Sequence, residues 1–271
     1  MQSGGDPSLR IAILSPVVNR CDCFMAGANH PGELANGRFH LAINQAHVWL
    51  VDLALYEPAF AAGCLSAEEQ SRAARFHFKA DGARFMISRA LLRRLLGRYL
   101  SRNPADINFS YGPFGKPALA PSGADLRFNL AHTKKWAAYV FSIGVDVGID
   151  VEDLNRKVDW EGIATRFFAE KEFAWIRARP PADRPAAFFR CWTRKEAILK
   201  GLGTGLGFPL TGVDVASSPG QAIWMGVAKP GVVSTEWVIT DCDCAPDCYG
   251  AVAVGQAGLS LQVEALHASF F

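Results

Sequence analysis

The chain has 271 residues, of which 50% are hydrophobic, 20% charged and 11% aromatic, and its net charge is +2. This composition excludes a disordered chain, a collagen-like repeat and a small disulfide scaffold, and the near-neutral charge carries no global signature of nucleic-acid binding. The length allows one large domain or two small ones, each with a real core.

Residues 1–40 are rich in Gly, Pro and Asn and read as a flexible extension. Residues 11–18 are apolar and follow Arg10, but they include Ser15 and Pro16, and no small-residue cleavage site follows, so secretion is not expected. No apolar run reaches the roughly 18–20 residues that a membrane helix needs. The best candidate, 136–149, is interrupted by Gly144 and Asp146.

Residues 47–55 (HVWLVDLAL) read as a buried strand. Ser66 with Glu69 three residues on is a capping box, so a helix is expected from there to about Lys79. A second helix is expected over 83–100, where Phe85, Leu92, Leu95, Leu96 and Tyr99 recur at helical spacing. Short strands follow at 107–110, 126–130, 136–142 and 145–151, with Gly144 as a turn. Helices are then expected at 161–166, 170–177 and 186–200, stopped by Gly201 and Gly203. Strands return at 223–227, 232–240, 249–254 and 259–265.

The order strand, helices, strands thus occurs twice, and faint residue echoes lie about 100 positions apart, an offset of the kind that marks an internal repeat. VWLVDL at 48–53 pairs with VGIDVEDL at 147–154, and WAAYVF at 136–141 with YGAVAV at 249–254. The expected fold is α+β, a pseudo-twofold duplication of two similar lobes at 41–144 and 145–271 with a cleft between them.

Seven cysteines are an odd number for a disulfide framework. Cys242, Cys244 and Cys248 cluster locally but lack a fourth ligand for zinc. Free thiols in a reducing cytoplasm fit best.

Four groups of residues carry chemistry. In Gly148-Ile149-Asp150-Val151-Glu152, residues two apart on a strand share a side, so Asp150 and Glu152 present two carboxylates together. Their repulsion would be relieved by a hard cation with oxygen ligands. Taken alone, the same pair also reads as a solvated acidic edge. In the helix 192–200 (WTRKEAILK), Trp192, Glu196 and Lys200 fall on one stripe, adding a third carboxylate and an ammonium. An ordinary Glu–Lys helix pair is the bland alternative. His132 ends a strand in FNLAHT, where it would bond a phosphate oxygen or a hydroxyl, or be structural. Finally, residues 68–102 hold nine bases against three acids, whereas 150–172 hold seven acids against four bases. A basic helix beside a carboxylate cluster suits a metal-chelated polyphosphate, or an acidic protein partner. Lys116 in YGPFGKP adds a cation on a rigid turn. No phosphate loop of the G-x4-GK[ST] type, Rossmann fingerprint, nucleophile elbow or HExxH is present. GLGTGLG at 201–207 follows a helix and is a weak phosphate-loop candidate.

GIDVE, WTRKEAILK, FNLAHT and YGPFGKPAL, in this chain's order and spacing, resemble the 4′-phosphopantetheinyl transferases. The likeness covers about 47–265 and is closer to the monomeric, two-lobed type that activates peptide and polyketide synthetases than to the short trimeric type. It implies transfer of phosphopantetheine from coenzyme A to a serine of an apo acyl or peptidyl carrier protein, with release of 3′,5′-ADP. Asp150, Glu152 and Glu196 then match the magnesium ligands, a site that Mn2+ would also suit. Glu196 matches the base, Lys200 the lysine on the pyrophosphate, and His132 the histidine near the 3′-phosphate. Lys116, Arg93, Lys79 and Arg75 match basic residues near the nucleotide phosphates. Ala131 departs from the family, which often has Ser there: a backbone contact survives that change and a hydroxyl contact does not. The resemblance further implies a cytoplasmic monomer without a nucleic-acid or membrane partner. The competing readings are another magnesium-dependent nucleotide or phosphodiester enzyme, and a carrier-binding scaffold without chemistry.

Overall fold

The structure, a computed structural model, describes residues 38–120, 125–205, 208–215, 221–226, 235–245, 247–255 and 260–266. The strands are β1 (Gln45–Asp52), β2 (Asn108–Tyr111), β3 (Pro117–Ala120), β4 (Leu126–His132), β5 (Trp136–Ile143), β6 (Val147–Asp153), β7 (Gln221–Gly226), β8 (Thr235–Ala245), β9 (Cys248–Val254) and β10 (Ser260–Leu266). The helices are α1 (Ala67–Ala74), α2 (Lys79–Leu100), α3 (Trp160–Phe167), α4 (Glu170–Arg177) and α5 (Arg184–Leu202).

Two four-stranded sheets, ordered β10-β1-β5-β4 and β6-β9-β8-β7, form the centre, and β2 and β3 make a separate hairpin. The side-chain alternation of the strands explains the layering. On β1, Ala46, Val48 and Leu50 face one apolar core, and Trp49 and Val51 face another. The first core also takes Val147, Ile149 and Val151 of β6 with Val252 and Val254 of β9, so it lies between the two sheets. The second takes Leu91, Leu92, Leu95 and Leu96 of α2. A third core sets Phe188, Ala197 and Ile198 of α5 against Ile239, Ala251 and Ala253. The central strands β1 and β5 are therefore covered on both faces, which accounts for their unbroken buried runs.

The α+β class matches the sequence reading, and β1-β5-β4 repeats the pattern of β6-β9-β8: first strand of the unit, last strand, penultimate strand. β10, which lies within 145–271, pairs in parallel with β1 of the first sheet. The expected extension ends earlier than residue 40. Phe39 is buried against Trp49 and Tyr99, and its backbone N–H donates to Arg98 O. Residues 1–37, with Cys21 and Cys23, lie outside the described residues, as do 206–207 of the glycine-rich run.

The first helix was expected to reach Lys79 and the second to begin at 83. Instead α1 stops at Ala74 and α2 starts at Lys79. The capping box forms as expected, with Glu69 N–H donating to Ser66 Oγ and Ser66 N–H to the Glu69 carboxylate. Asp81-Gly82 resembles a break, yet Gly82 is inside α2, where it passes so close to α1 that a Cβ would come 2.7 Å from Ala73 O. The turn at 111–117 is the tip of the β2–β3 hairpin, and β3 was not foreseen. Cys64, Cys191 and Cys248 are free thiols, and all three are buried, as is Cys242.

Candidate active site

A cleft of about 450 Å³ opens between the lobes. Its first-lobe wall carries Arg72, Phe76, Phe85, Ser88, Arg89, Tyr111 and His132, and its second-lobe wall carries Glu196, Leu199, Lys200, Gly203 and Gly205.

The floor is built by packing α5 directly on β6. Gly148 permits this approach, because a Cβ there would come 1.9 Å from Ala197 O and 2.3 Å from Gly201 N. With odd-numbered β6 residues in the inter-sheet core, Asp150 and Glu152 face α5. Lys200 Nζ donates to Asp150 Oδ1 at 2.6 Å, and Trp192 Nε1 donates to Glu152 Oε1 at 3.2 Å. Arg156 Nη1 reaches Glu152 Oε2 at 3.0 Å. The stripe of Trp192, Glu196 and Lys200 thus lies against the strand carboxylates.

These charges strain one another. Burial pushes the Asp150 carboxyl up, and the Lys200 ammonium opposes that push. Burial and then the Asp150 charge raise Glu152. Glu196 rises furthest, to about 7, chiefly by burial and next by the charges of Asp150 and Glu152. His132 is lowered by loss of solvent inside the cleft, and Lys200 and Arg84 push the same way.

The structure sorts the expected phosphate cations. Lys200 and His132 line the cleft. Lys116 lines it too, but its ammonium donates to Gly201 O at 2.6 Å and Val147 O at 3.2 Å, tying the hairpin to the second lobe. Arg93 lies outside the cleft lining: it is buried, its Nε donates to Glu69 at 2.7 Å, and its Nη1 donates to Pro104 O and Ile107 O, both at 2.9 Å. It holds α1 and the 104–107 turn on α2. Arg75 and Lys79 are exposed and lie outside the cleft lining, Lys79 bordering a separate groove beside α1. The cleft instead takes Arg72, which sits over Phe85, and Arg89, which is bonded to Glu69 and to Tyr111 Oη. Both stood in the basic run of the sequence. Arg89 is one turn from Arg93, and only the rotation of α2 decides between them.

Among the described residues, no three His, Cys, Asp or Glu side chains are arranged as they stand to hold a metal ion. The donor chemistry still fits a hard cation. Three acidic side chains adjoin, each raising the next, and the buried Asp150 Oδ2 has no hydrogen-bond partner among the described residues.

Residues 146–240 match the model of the 4'-phosphopantetheinyl transferase superfamily, and residues 55–142 match that of the 4'-phosphopantetheinyl transferase N-terminal region. The chain is 33% identical over 231 residues to the 4'-phosphopantetheinyl transferase HetI of Nostoc sp., an alignment covering 84% of this chain and 94% of that protein. The chain belongs to the 4′-phosphopantetheinyl transferase family. It is also 31% identical over 151 residues to the 4'-phosphopantetheinyl transferase Sfp of Bacillus subtilis, covering 56% of this chain and 66% of that one. A third family member, AcpT of Salmonella typhimurium, is 40% identical over 122 residues, 45% of this chain and 61% of that protein. The gap between the two family matches, residues 143–145, spans the end of β5 and the turn into β6, where the chain passes from one sheet to the other.

Proposed function

We propose that this transferase moves the 4′-phosphopantetheine group of coenzyme A onto a serine of an apo acyl or peptidyl carrier protein and releases 3′,5′-ADP. The observation that carries the reading is that Glu196 and Lys200 line the cleft from α5, where Lys200 is bonded to Asp150, and burial and the charges of Asp150 and Glu152 raise the Glu196 carboxyl to about 7.

Burial and the neighbouring charges make Glu196 more basic than an ordinary glutamate, which suits it to take a proton from an alcohol. Glu196 takes the serine proton as the hydroxyl oxygen attacks phosphorus. The bond from phosphorus to the bridging oxygen of the ADP half breaks, and the Lys200 ammonium steadies the charge left there. Arg72, Arg89 and His132 bind the nucleotide phosphates from the first lobe, and Phe76, Phe85 and Tyr111 supply apolar faces beside them. Asp150, Glu152 and Glu196 would hold Mg2+, or Mn2+ in its place. A bound divalent cation supplies positive charge to the pyrophosphate.

The strand order common to both sheets supports the two lobes as a duplicated unit. A duplicated chain brings both walls of the cleft itself, which supports a monomer. Among the described residues no helix is long and apolar enough to cross a membrane, and the buried free thiols suit the cytoplasm.

The test is mass spectrometry of an apo carrier protein incubated with the transferase, coenzyme A and Mg2+. A gain of one phosphopantetheine on the carrier is the expected result. An unmodified carrier beside folded transferase overturns the reading, and nucleotide turnover without a carrier would favour the other nucleotide chemistry.

A further inference from the structure

We infer that Trp192 is a positioning residue whose indole N–H sets the Glu152 carboxylate for a divalent cation. The inference rests on the proposal that Asp150, Glu152 and Glu196 are the cation's ligands.

Helix α5 crosses β6 in the opposite direction. Gly148 sits beneath Ala197 and Gly201 at one end of the contact, and Trp192 reaches Glu152 at the other. Each strand carboxylate therefore meets one helix donor: Lys200 takes an oxygen of Asp150, and Trp192 takes an oxygen of Glu152. The two donors differ in kind. Lys200 carries a full charge and compensates the carboxylate it touches. An indole N–H is neutral and can only donate. It orients Glu152 without cancelling the charge that would draw a cation, and it offers no atom that competes as a ligand.

The indole is itself held rigidly. Its ring stacks with Phe188 at 6.1 Å and 20° and with Phe168 at 6.4 Å and 22°, and it meets Phe167 edge-on at 6.2 Å. The N–H direction is fixed by that aromatic packing. The other partner of Glu152, Arg156, has a side chain 57% exposed and cannot supply comparable rigidity. Glutamate has one more rotatable bond than aspartate, so of the two strand acids it depends more on a fixed donor. Partners of this kind, which orient a ligand without touching the metal, are commonly worth 10–100-fold in metal affinity.

The test is Mn2+ binding to the full chain without coenzyme A, read from the electron paramagnetic resonance of free Mn2+. Trp192→Phe keeps the ring and its stacking and removes only the donor. It should raise the Mn2+ Kd about tenfold, with the thermal midpoint unchanged. In a Glu152→Gln background the same substitution should add little, because its effect runs through Glu152. An unchanged Kd in Trp192→Phe, while Glu152→Gln and Asp150→Asn weaken binding, overturns the inference and leaves the cation site standing. An equal loss in both backgrounds overturns it too, because it would make Trp192 a general support of the lobe. If Glu152→Gln and Asp150→Asn bind Mn2+ as wild type does, the cation site falls and the inference with it.

Discussion

The two long helices make the instructive contrast. Both lie on the outer face of a sheet and both bury a pair of bases. On α2, Arg89 and Arg93 share one carboxylate, Glu69, at 3.0 and 2.7 Å. On α5, the two buried bases are divided between two acids: Arg194 pairs with Asp241 at 2.6 Å, which Arg190 also approaches at 3.4 Å, and Lys195 pairs with Glu172 at 2.7 Å. The shared acid leaves the first lobe with surplus cations at the cleft, Arg72 and Arg89. On α5, Arg194 and Lys195 are neutralised inside the core, and Glu196 and Lys200, the latter bonded to Asp150, line the cleft. One wall therefore offers positive charge and the other a carboxylate cluster, which is what a phosphate ligand carrying its own cation requires.

Removing the cluster's helical acid is the strongest test of that division. Glu196→Gln keeps the shape and loses the base, so kcat should fall by about 10²–10⁴ while coenzyme A affinity changes far less. Steady-state kinetics with separate calorimetric binding of coenzyme A checks this, and near-normal turnover would remove Glu196 from its role. Next in size is the internal pair of α5. Glu172 and Lys195 are both fully buried, and Lys195 also donates to Leu210 O at 2.7 Å and to Val213 O. Lys195→Met leaves Glu172 buried without its cation, and urea unfolding should show a loss of about 3–5 kcal/mol. The corresponding change in the first lobe, Arg93→Met, leaves Glu69 still held by Arg89, so its loss should be smaller, about 2 kcal/mol. Equal losses would mean that sharing one acid gives α2 no tolerance that α5 lacks.

Much of this arrangement could be read from residue patterns, because the signals are local. Alternation put Asp150 and Glu152 on one face, helical spacing put Trp192, Glu196 and Lys200 on one stripe, and Ser66 with Glu69 marked the start of α1. What the patterns did not carry depends on contacts distant in sequence. Nothing near residues 260–266 says that the strand pairs with β1 rather than with the second sheet. Arg93 and Arg89 are equally basic and one turn apart. The acid that pairs with Arg93 lies twenty-four positions earlier in the chain, where its spacing from Ser66 marks it only as a helix cap. Gly82 and Gly148 show the same limit. Each looks like a weak point in its element, and each is where two elements come too close for a side chain.

The effect most specific to the second lobe is its pH dependence. Glu196 has a folded pKa of about 7, above the ordinary glutamate value near 4.3 that the unfolded chain would show. Between those values the folded state holds more protons than the unfolded one. Stability from this group is therefore full at low pH and is lost as pH rises through about 7. In buffer with a chelator, wild type should weaken from pH 5 to pH 8 relative to Glu196→Gln, by on the order of 2 kcal/mol. At pH 4 the two should differ little. Adding Mg2+ at pH 8 should restore wild type and not the variant, because a cation favours the ionised carboxylate. Chemical denaturation at each pH measures all of this. A pH-independent difference between wild type and Glu196→Gln would mean that burial within the carboxylate cluster does not raise Glu196.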